Sequence, residues 1–287
     1  MKRLTGVLAL AILCNTVTAQ EDSVIVKERT RDTTRIGNIL IIKKGGRGSG
    51  KDSSIVINRT TKSRSGITTQ WFVFDLGISN YNDATNYANT GSFLVNRPGA
   101  PEFSESDFKL RGGKSINVNI WFFMQKVNLI KQNVNLKYGL GLELNNYRYR
   151  SAISYRENGI VPYSGGMETN RPFIFRDSIS FSKNKLAADY LTIPVMLNFT
   201  TTPANSRKAI GFSAGISAGY LYSQRNKQKS EERGKQKNKG DYDLERFKLS
   251  YVGELKMGPV TLYGSYSPKS MYENSLDMRP YTIGVRF

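Results

Sequence analysis

The chain has 287 residues, with 42 Lys and Arg against 23 Asp and Glu, no histidine and a single cysteine. Without histidine the chain cannot use a histidine base, nucleophile or metal ligand, and one cysteine excludes a disulfide framework or a cysteine metal cluster. The composition, with 39% hydrophobic and 11% aromatic residues, is too aromatic for a disordered chain and too polar for a bundle of membrane helices. We expect no cofactor.

Residues 1–19 have the plan of a secretory signal peptide. Two basic residues precede a mostly apolar run, Leu4 to Leu13, and small residues follow it up to Ala19. This run is too short for a membrane-spanning helix. We predict cleavage between Ala19 and Gln20. The alternative, acylation at Cys14 as in a lipoprotein, is disfavoured because a large leucine stands just before that cysteine.

Residues 20–69 differ in composition from the rest of the chain. They contain 11 Lys and Arg, 5 Asp and Glu and no aromatic residue, so they can hardly build a core of their own. Short β-prone runs occur at 36–42 and 54–57. We predict a mostly irregular, basic periplasmic arm, mobile or loosely folded into a hairpin.

The segment Gly45 to Lys51 comes close to the phosphate-binding loop pattern G-x-x-x-x-G-K-[ST]. Asp52 follows it, where the pattern needs a hydroxyl group to hold magnesium. The residues after that are β-prone, so the helix whose N-terminus would hold phosphate is missing. We therefore interpret this segment as a flexible glycine- and serine-rich turn.

Residues 70–287 alternate between apolar and polar side chains over eight segments that are separated by polar loops, which is typical of β-strands. Most segments reach the 9–11 residues that cross a bilayer at a tilt. The fold class that this predicts is all-β, an eight-stranded antiparallel transmembrane β-barrel. The eight predicted strands are 70–78, 114–129, 133–149, 186–199, 208–222, 244–257, 260–266 and 279–287.

A soluble β-sandwich would alternate as well, but three features favour an outer-membrane barrel. Short connections alternate with long ones, as periplasmic turns alternate with external loops. The chain ends on an alternating segment that closes at Phe287. Tyrosines near the strand ends suit aromatic girdles at the two membrane interfaces, and they are Tyr147, Tyr149, Tyr220, Tyr222, Tyr263, Tyr266 and Tyr281.

Charged residues fall on the polar face of the alternation, which lies inside the predicted barrel. Buried charges must pair or meet water, so we predict a salt-bridge network in a narrow lumen rather than an ion-lined pore. An enzyme using Glu143 and Glu254 as a carboxylate pair is a weaker alternative. Pro194 predicts a bulge or a local distortion in its strand. The predicted lumen charge network is Asp75, Lys137, Glu143, Lys248, Glu254, Lys256 and Arg286.

The long loops are the other candidate for function. The basic loop 223–243 is interpreted as solvated and mobile, with contact to lipopolysaccharide phosphates as the alternative. Since it lacks interleaved aromatic residues, we do not expect nucleic acid as a partner. The loop 79–113 is rich in Tyr, Asn and Phe, which suits adaptable contacts to protein or glycan.

Three segments carry a resemblance to a known family. They are the signal peptide, the strand Tyr190 to Leu197 (YLTIPVML) and the Gly-Leu-Gly run at 139–141. Over about residues 70–287 the chain resembles the PorT-like outer-membrane β-barrel proteins of Bacteroidota.

The resemblance implies an eight-stranded outer-membrane barrel, mostly without an assigned activity, and one branch of the family serves a protein-secretion system. The closing segment Ile283 to Phe287 (IGVRF) also resembles the signal that the barrel-assembly machinery reads, and the residues predicted for this signal are Tyr281, Ile283, Val285 and Phe287. The long basic arm departs from the family pattern.

These observations predict a signal peptide at 1–19, a periplasmic arm at 20–69 and an outer-membrane barrel at 70–287. The expected function is non-enzymatic, as a structural or interaction component of the cell envelope or of a secretion complex. The expected partners are outer-membrane lipid, lipopolysaccharide, the assembly machinery and a periplasmic or secretion-complex protein. The alternative is a small pore, or a barrel that binds a ligand through its external loops.

Overall fold

The computed structural model describes the strands at 33–36, 39–43 and 55–59 and the segments 66–130, 133–201 and 210–287. The predicted signal peptide, its cleavage site at Ala19 and Gln20, and the segment Gly45 to Lys51 lie outside the described residues. The chain divides into two compact units, Met1–Arg64 and Ser65–Phe287.

The first unit contains a small antiparallel sheet in the order β1-β2-β3. Its strands are β1 (Thr33–Ile36), β2 (Ile39–Lys43) and β3 (Ile55–Arg59). They overlap the two β-prone runs of the basic arm, where β-branched isoleucine and valine favour an extended backbone.

Fourteen strands are described in the second unit. In chain order they are β4 (Ile67–Asp83), β5 (Leu94–Val95), β6 (Ile116–Ile130), β7 (Val134–Arg148), β8 (Ile153–Arg156), β9 (Gly159–Ile160), β10 (Glu168–Thr169), β11 (Phe173–Arg176), β12 (Lys183–Thr200), β13 (Ile210–Ser230), β14 (Gly234–Lys239), β15 (Phe247–Met257), β16 (Val260–Tyr266) and β17 (Met278–Arg286).

Eight of these strands form a closed antiparallel ring. Each pairs with the next along the chain, in the order β4-β6-β7-β12-β13-β15-β16-β17, and β17 pairs back with β4. β14 pairs with β13 outside this ring. The prediction of an all-β, antiparallel architecture is confirmed.

Two ring strands continue well past their predicted C-terminal ends. β4 continues to Asp83, and β13 continues to Ser230. The sequence pattern concealed both extensions, because the alternation of apolar with polar residues ends where the outer side of the strand becomes polar. The strands themselves continue as hydrogen-bonded ladders.

The ring turns its apolar side chains outward. Along β7, Leu136, Leu140 and Leu142 face away from the ring, whereas Lys137 and Glu143 are buried inside it. This is the inverse of a soluble barrel. The exposed apolar surface includes Phe74, Leu76, Ile78, Leu191, Ile193, Val195, Leu197, Phe199, Phe212, Ile216, Leu249, Leu255, Leu262 and Ile283.

The distortion predicted at Pro194 takes a different form. The ladder between β12 and β7 is interrupted at Ile193 and Pro194, because proline has no backbone N–H, but the register resumes unchanged. The shift in register lies earlier in β12, between Asp189 and Tyr190, where Tyr222 of β13 is left unpaired. Beyond this bulge the inward positions of β13 change from odd to even residue numbers.

Loops at one end of the ring fold into ordered structure. β5, β8 and β11 form a three-stranded sheet, and a short helix, α1 (Glu105–Phe108), precedes β6. The prediction of a mobile loop at 223–243 is wrong, because β13 and β14 form a regular hairpin over most of it. Within the described residues, no helix is long and apolar enough to cross a membrane.

Candidate functional site

The inner surface of the ring contains buried charges close to the seam where the first and last strands meet. Arg286 of β17 lies directly opposite Asp75 of β4. Its Nε is 2.6 Å from Asp75 Oδ1 and its Nη2 is 2.8 Å from Oδ2, a two-bond geometry that gives strong charge-assisted pairing. The same guanidinium donates from Nη1 to Glu254 of β15.

Two lysines complete the pairing across the lumen. Lys137 of β7 bonds Glu254, and Lys248 of β15 lies 2.5 Å from Glu143 of β7, measured from Nζ to Oε1. Because β12 and β13 separate β7 from β15 in the ring, both ion pairs cross the lumen. We call Asp75, Lys137, Glu143, Lys248, Glu254 and Arg286 the lumen network.

Lys256 is the one predicted network residue that lies apart. It is only partly buried, and among the described residues it forms no ion pair. The structure therefore brings together six of the seven residues that alternation placed on the inner face.

Neutral side chains that the sequence analysis did not place in the lumen support the network. Trp121 Nε1 donates to Asp75 Oδ2 at 2.7 Å, and Asn119 Nδ2 donates to the same oxygen at 3.3 Å. Tyr263 donates to Asn117 Oδ1 at 2.5 Å. The signal was present in β6, because Asn117, Asn119 and Trp121 are spaced two apart and share one face.

Little free volume is left between these groups. A cavity of about 30 Å³, lined by Asp75, Glu143, Glu254 and Arg286 among others, has room for one or two water molecules. On the inner side of β7, Gly141 leaves room for the Trp121 side chain of the neighbouring strand, since a Cβ on Gly141 would lie 2.6 Å from Trp121 Cε3. A small apolar cluster of Val73, Trp121, Met124 and Met196 fills the adjoining space.

Beyond the lumen network, the long loops close one mouth of the ring with an apolar core. We call this core the cap. It combines inward side chains of the ring strands with loop side chains, and its buried members are Phe93, Leu94, Phe103, Phe108, Tyr147, Tyr149, Ile153, Tyr155, Ile174, Leu186, Ala188, Tyr190, Leu221, Tyr242, Leu244, Met271, Tyr272, Leu276 and Met278.

Three tyrosines form a hydroxyl chain inside the cap. Tyr149 Oη lies 2.7 Å from Tyr155 Oη, which lies 2.9 Å from Tyr272 Oη. Burial raises the pKa of Tyr155 and of Tyr272 well above the ordinary value, and that of Tyr149 to about 12. These hydroxyls stay protonated at physiological pH and connect three separate chain segments.

An arginine clamp fastens the edge of the cap. Arg176 of β11 donates to both carboxylate oxygens of Asp107, from Nε at 2.9 Å and from Nη2 at 2.8 Å. Its guanidinium also lies 4.4 Å from the centre of the Phe103 ring. Burial alone would raise the pKa of Asp107, but hydrogen bonds from Arg176 and Ser104 bring it below the ordinary value.

The prediction of aromatic girdles is wrong for three of its seven tyrosines. Tyr147 and Tyr149 are buried in the cap, and Tyr263 is buried in the lumen. Their positions follow from the alternation itself, because Tyr147 and Tyr149 have the parity of the inward-facing Glu143. Tyr220, Tyr222 and Tyr266 are exposed on the outer face and Tyr281 is partly exposed there.

The four residues of the predicted assembly signal share the outer face of β17. Ile283 and Phe287 are well exposed, whereas Tyr281 and Val285 are partly covered. Phe287 extends the seam by one bond, from its backbone N–H to the carbonyl oxygen of Phe74 at 2.8 Å. Arg286, between Val285 and Phe287, is the residue of this strand that enters the lumen network.

Comparison with known proteins agrees with this geometry. The family model described as outer membrane protein beta-barrel domain matches residues 72–268. None of the curated proteins compared with this chain matches it. The match begins within β4 and ends just after β16, so it includes seven of the eight ring strands and most of the cap, but not β17.

Proposed function

Since the family match covers more than half of the chain, the chain belongs to the outer membrane protein β-barrel family, and from this premise we propose that it is a non-enzymatic interaction component of the cell envelope. Its place is the outer membrane. The eight-strand ring is the membrane-spanning barrel, and the cap with its loops is the external part. The proposal includes a signal peptide cleaved after Ala19.

The observation that carries this proposal is the filled interior. Ion pairs cross the lumen between β7 and β15, the cavity beside them has room for only one or two water molecules, and the cap closes one mouth. A barrel with a filled interior can bind partners on its outer surface and loops, but it provides no path for solutes.

Conductance in planar bilayers tests the closed lumen. We expect no channel activity above background from the purified mature protein, with or without residues 20–64. Steady ion currents from the wild-type protein would favour the competing function of a small pore and would overturn the proposal.

An enzyme that uses a carboxylate pair finds little support in the side-chain contacts. Glu143 is bound by Lys248, and Glu254 is bound by Lys137 and Arg286. Each candidate carboxylate therefore forms an ion pair with a lysine or arginine, whereas acid–base catalysis needs a group that can exchange a proton with a substrate.

We further propose that the basic arm and the cap contact different partners. The arm, on the periplasmic side, is the candidate contact for a periplasmic or secretion-complex protein, which the resemblance to the PorT-like proteins also favours. The external loops face lipopolysaccharide and the outside of the cell, and the outer face of β17 is the candidate contact for the barrel-assembly machinery.

A cross-linked pull-down from native outer membranes tests the role of the arm. The mature chain is compared with a version that lacks residues 20–64, which leaves β4 intact, and heat-modifiable migration on gels shows that both barrels are folded. We expect a defined set of proteins to be lost with the arm. An unchanged set of captured proteins would contradict a docking role for it.

A further inference from the structure

A dense group of cations covers one outer surface of the second unit. Where β7 and β12 end at the cap and the β13–β14 hairpin rises beside them, the outward positions are mostly lysine or arginine. We call this surface the cationic face. Its members are Arg148, Lys183, Lys185, Arg225, Lys227, Lys229, Lys235, Lys237 and Lys239.

The register of the strands places these cations directly opposite one another. Lys227 lies between Lys185 of β12 and Lys237 of β14. Lys229 lies in the same way between Lys183 and Lys235. Like charges in opposed positions of an antiparallel pair destabilise the sheet, so the arrangement is costly for the protein alone.

The inner side of the same hairpin is neutral. Asn226 lies opposite Asn238, and Gln228 lies opposite Gln236. Gln228 Nε2 donates to Ser154 Oγ of the cap at 2.7 Å, which anchors the hairpin. The cations are thus confined to the outer side of a sheet that is held in place from within.

Few acidic groups neutralise the cationic face. Of its nine cations, only Arg225 has a carboxylate partner among the described residues, Asp189. Glu231 and Glu232 lie in the exposed turn of the hairpin and form no ion pair with a described residue. Arg233, in the same turn, is bound to Asp177 of the cap.

The cationic face begins just above the apolar surface of the ring. Tyr220 and Tyr222 are exposed on the outer side of β13, where tyrosines mark the level of lipid headgroups. Arg225 follows three residues later, about 10 Å along the strand at roughly 3.3 Å per residue. The cations therefore extend outward from the headgroup region.

We propose that the cationic face binds the phosphate groups of an outer-leaflet glycolipid. The inference rests on the proposed orientation, in which the cap lies outside the cell. A phosphate between opposed lysines turns their repulsion into charge-assisted hydrogen bonds, and cations near an anionic headgroup layer are attracted to it. No aromatic residue lies between Arg225 and Lys239, so stacking on nucleic-acid bases is disfavoured.

Binding of a bisphosphorylated lipid A in detergent micelles tests this proposal. The variant Lys185→Gln, Lys227→Gln, Lys237→Gln removes the central row of cations. The matched control, Lys109→Gln, Lys114→Gln, Lys269→Gln, removes three cations from other external loops. We expect the first variant to bind at least tenfold more weakly, the control to bind like the wild type, and dephosphorylated lipid A to bind weakly to all three proteins.

Thermal unfolding provides a second measurement that a merely structural role for these lysines would not reproduce. Without lipid, the central-row variant should unfold at a higher temperature than the wild type, because repulsion is removed. Phosphorylated lipid should raise the midpoint of the wild type far more than that of this variant. A variant that is less stable than the wild type in lipid-free micelles would contradict the proposal.

Three further outcomes would overturn it: equal weakening by the control variant, equal affinity for dephosphorylated lipid A, or tighter binding of a double-stranded DNA oligonucleotide. The orientation is tested separately, by labelling a Glu232→Cys variant in intact cells with a membrane-impermeant maleimide. Labelling only after permeabilisation would refute the proposed orientation. Labelling in intact cells, together with no binding of lipid A, would support the orientation and refute only the proposed binding of phosphate by the cationic face.

Discussion

The lumen network and the cap lie in one ring and follow opposite rules. At the level of the network, charges are inside and apolar side chains face outward, whereas in the cap the apolar and aromatic side chains are inside. The surroundings account for this inversion. At the level of the network the ring faces lipid, which accepts apolar side chains and offers no hydrogen bonds. The cap faces water, which forms hydrogen bonds and drives apolar side chains inward. The costly change should therefore be an unpaired charge in the first region and lost packing in the second.

The largest effect is expected from Arg286→Gln. The change leaves Asp75 and Glu254 buried without the guanidinium that joins them, and removing one partner of a buried ion pair costs about 3–5 kcal/mol. We expect the ring to unfold at lower denaturant concentration in detergent micelles, followed by tryptophan fluorescence and heat-modifiable migration.

The same strand provides the control for this prediction. Arg279→Gln removes an exposed ion pair with Asp277, and exposed pairs contribute little. Equal stability of the Arg286→Gln and Arg279→Gln variants would show that the buried charge of Arg286 does not stabilise the seam. It would contradict the idea that the network is sensitive to unpaired charges.

In the cap the corresponding change is Phe108→Ala. Phe108 is 1% exposed and packs against Phe103, Tyr87 and Tyr149, so its truncation should cost about 3–5 kcal/mol of packing energy. The expected result is local: the external loops become sensitive to protease while the ring keeps its heat-modifiable migration. Val95→Ala, at a partly exposed position in β5, is the control. Unfolding of the ring together with the cap would show that the two regions are one cooperative unit.

The sequence predicted the ring well because its pattern has a period of two. Alternation placed six network residues on the inner face, and the same parity explains Tyr147 and Tyr149, which the girdle interpretation misplaced. The pattern could not reveal which strands oppose each other across the lumen. The pairing of Lys137 with Glu254 was therefore invisible in the sequence.

The cap was missed for a physical reason. Its apolar residues come from short, irregular segments with no period of their own, such as Phe93, Phe103 and Met271, and they form a core only when the ring brings them together. The β13–β14 hairpin was missed because both of its faces are polar. Hydrophobic patterning detects a strand only where one of its faces is apolar.

Replacing a buried ion pair with apolar side chains tests whether the ion pair itself stabilises the ring. Lys248→Met alone leaves Glu143 without its cation and should destabilise the ring, whereas Lys248→Met with Glu143→Met should be close to the wild type or more stable. Denaturant titration of the single variants and the double variant gives the coupling energy. A double variant that is clearly less stable than the wild type would mean that the pair stabilises the lumen by more than the cost of desolvating it.

The smallest effect concerns the arginine clamp of the cap. The pKa of Asp107 is lower in the folded protein than in the unfolded chain, so its stabilising effect is complete above the unfolded value, about 3.9, and is lost as the pH falls below it. Acid should therefore loosen the cap as the pH falls below about 4, seen as a loss of near-ultraviolet circular dichroism from the buried tyrosines. Arg176 keeps its hydrogen bond to the carbonyl oxygen of Glu102, so the loss should be partial.

Asp107→Asn should show the loosened signal already at neutral pH, with a weaker change over the same range. If that variant kept the full acid transition, another carboxylate would control the cap, and Asp177, which is bound by Arg233, would be the next to exchange.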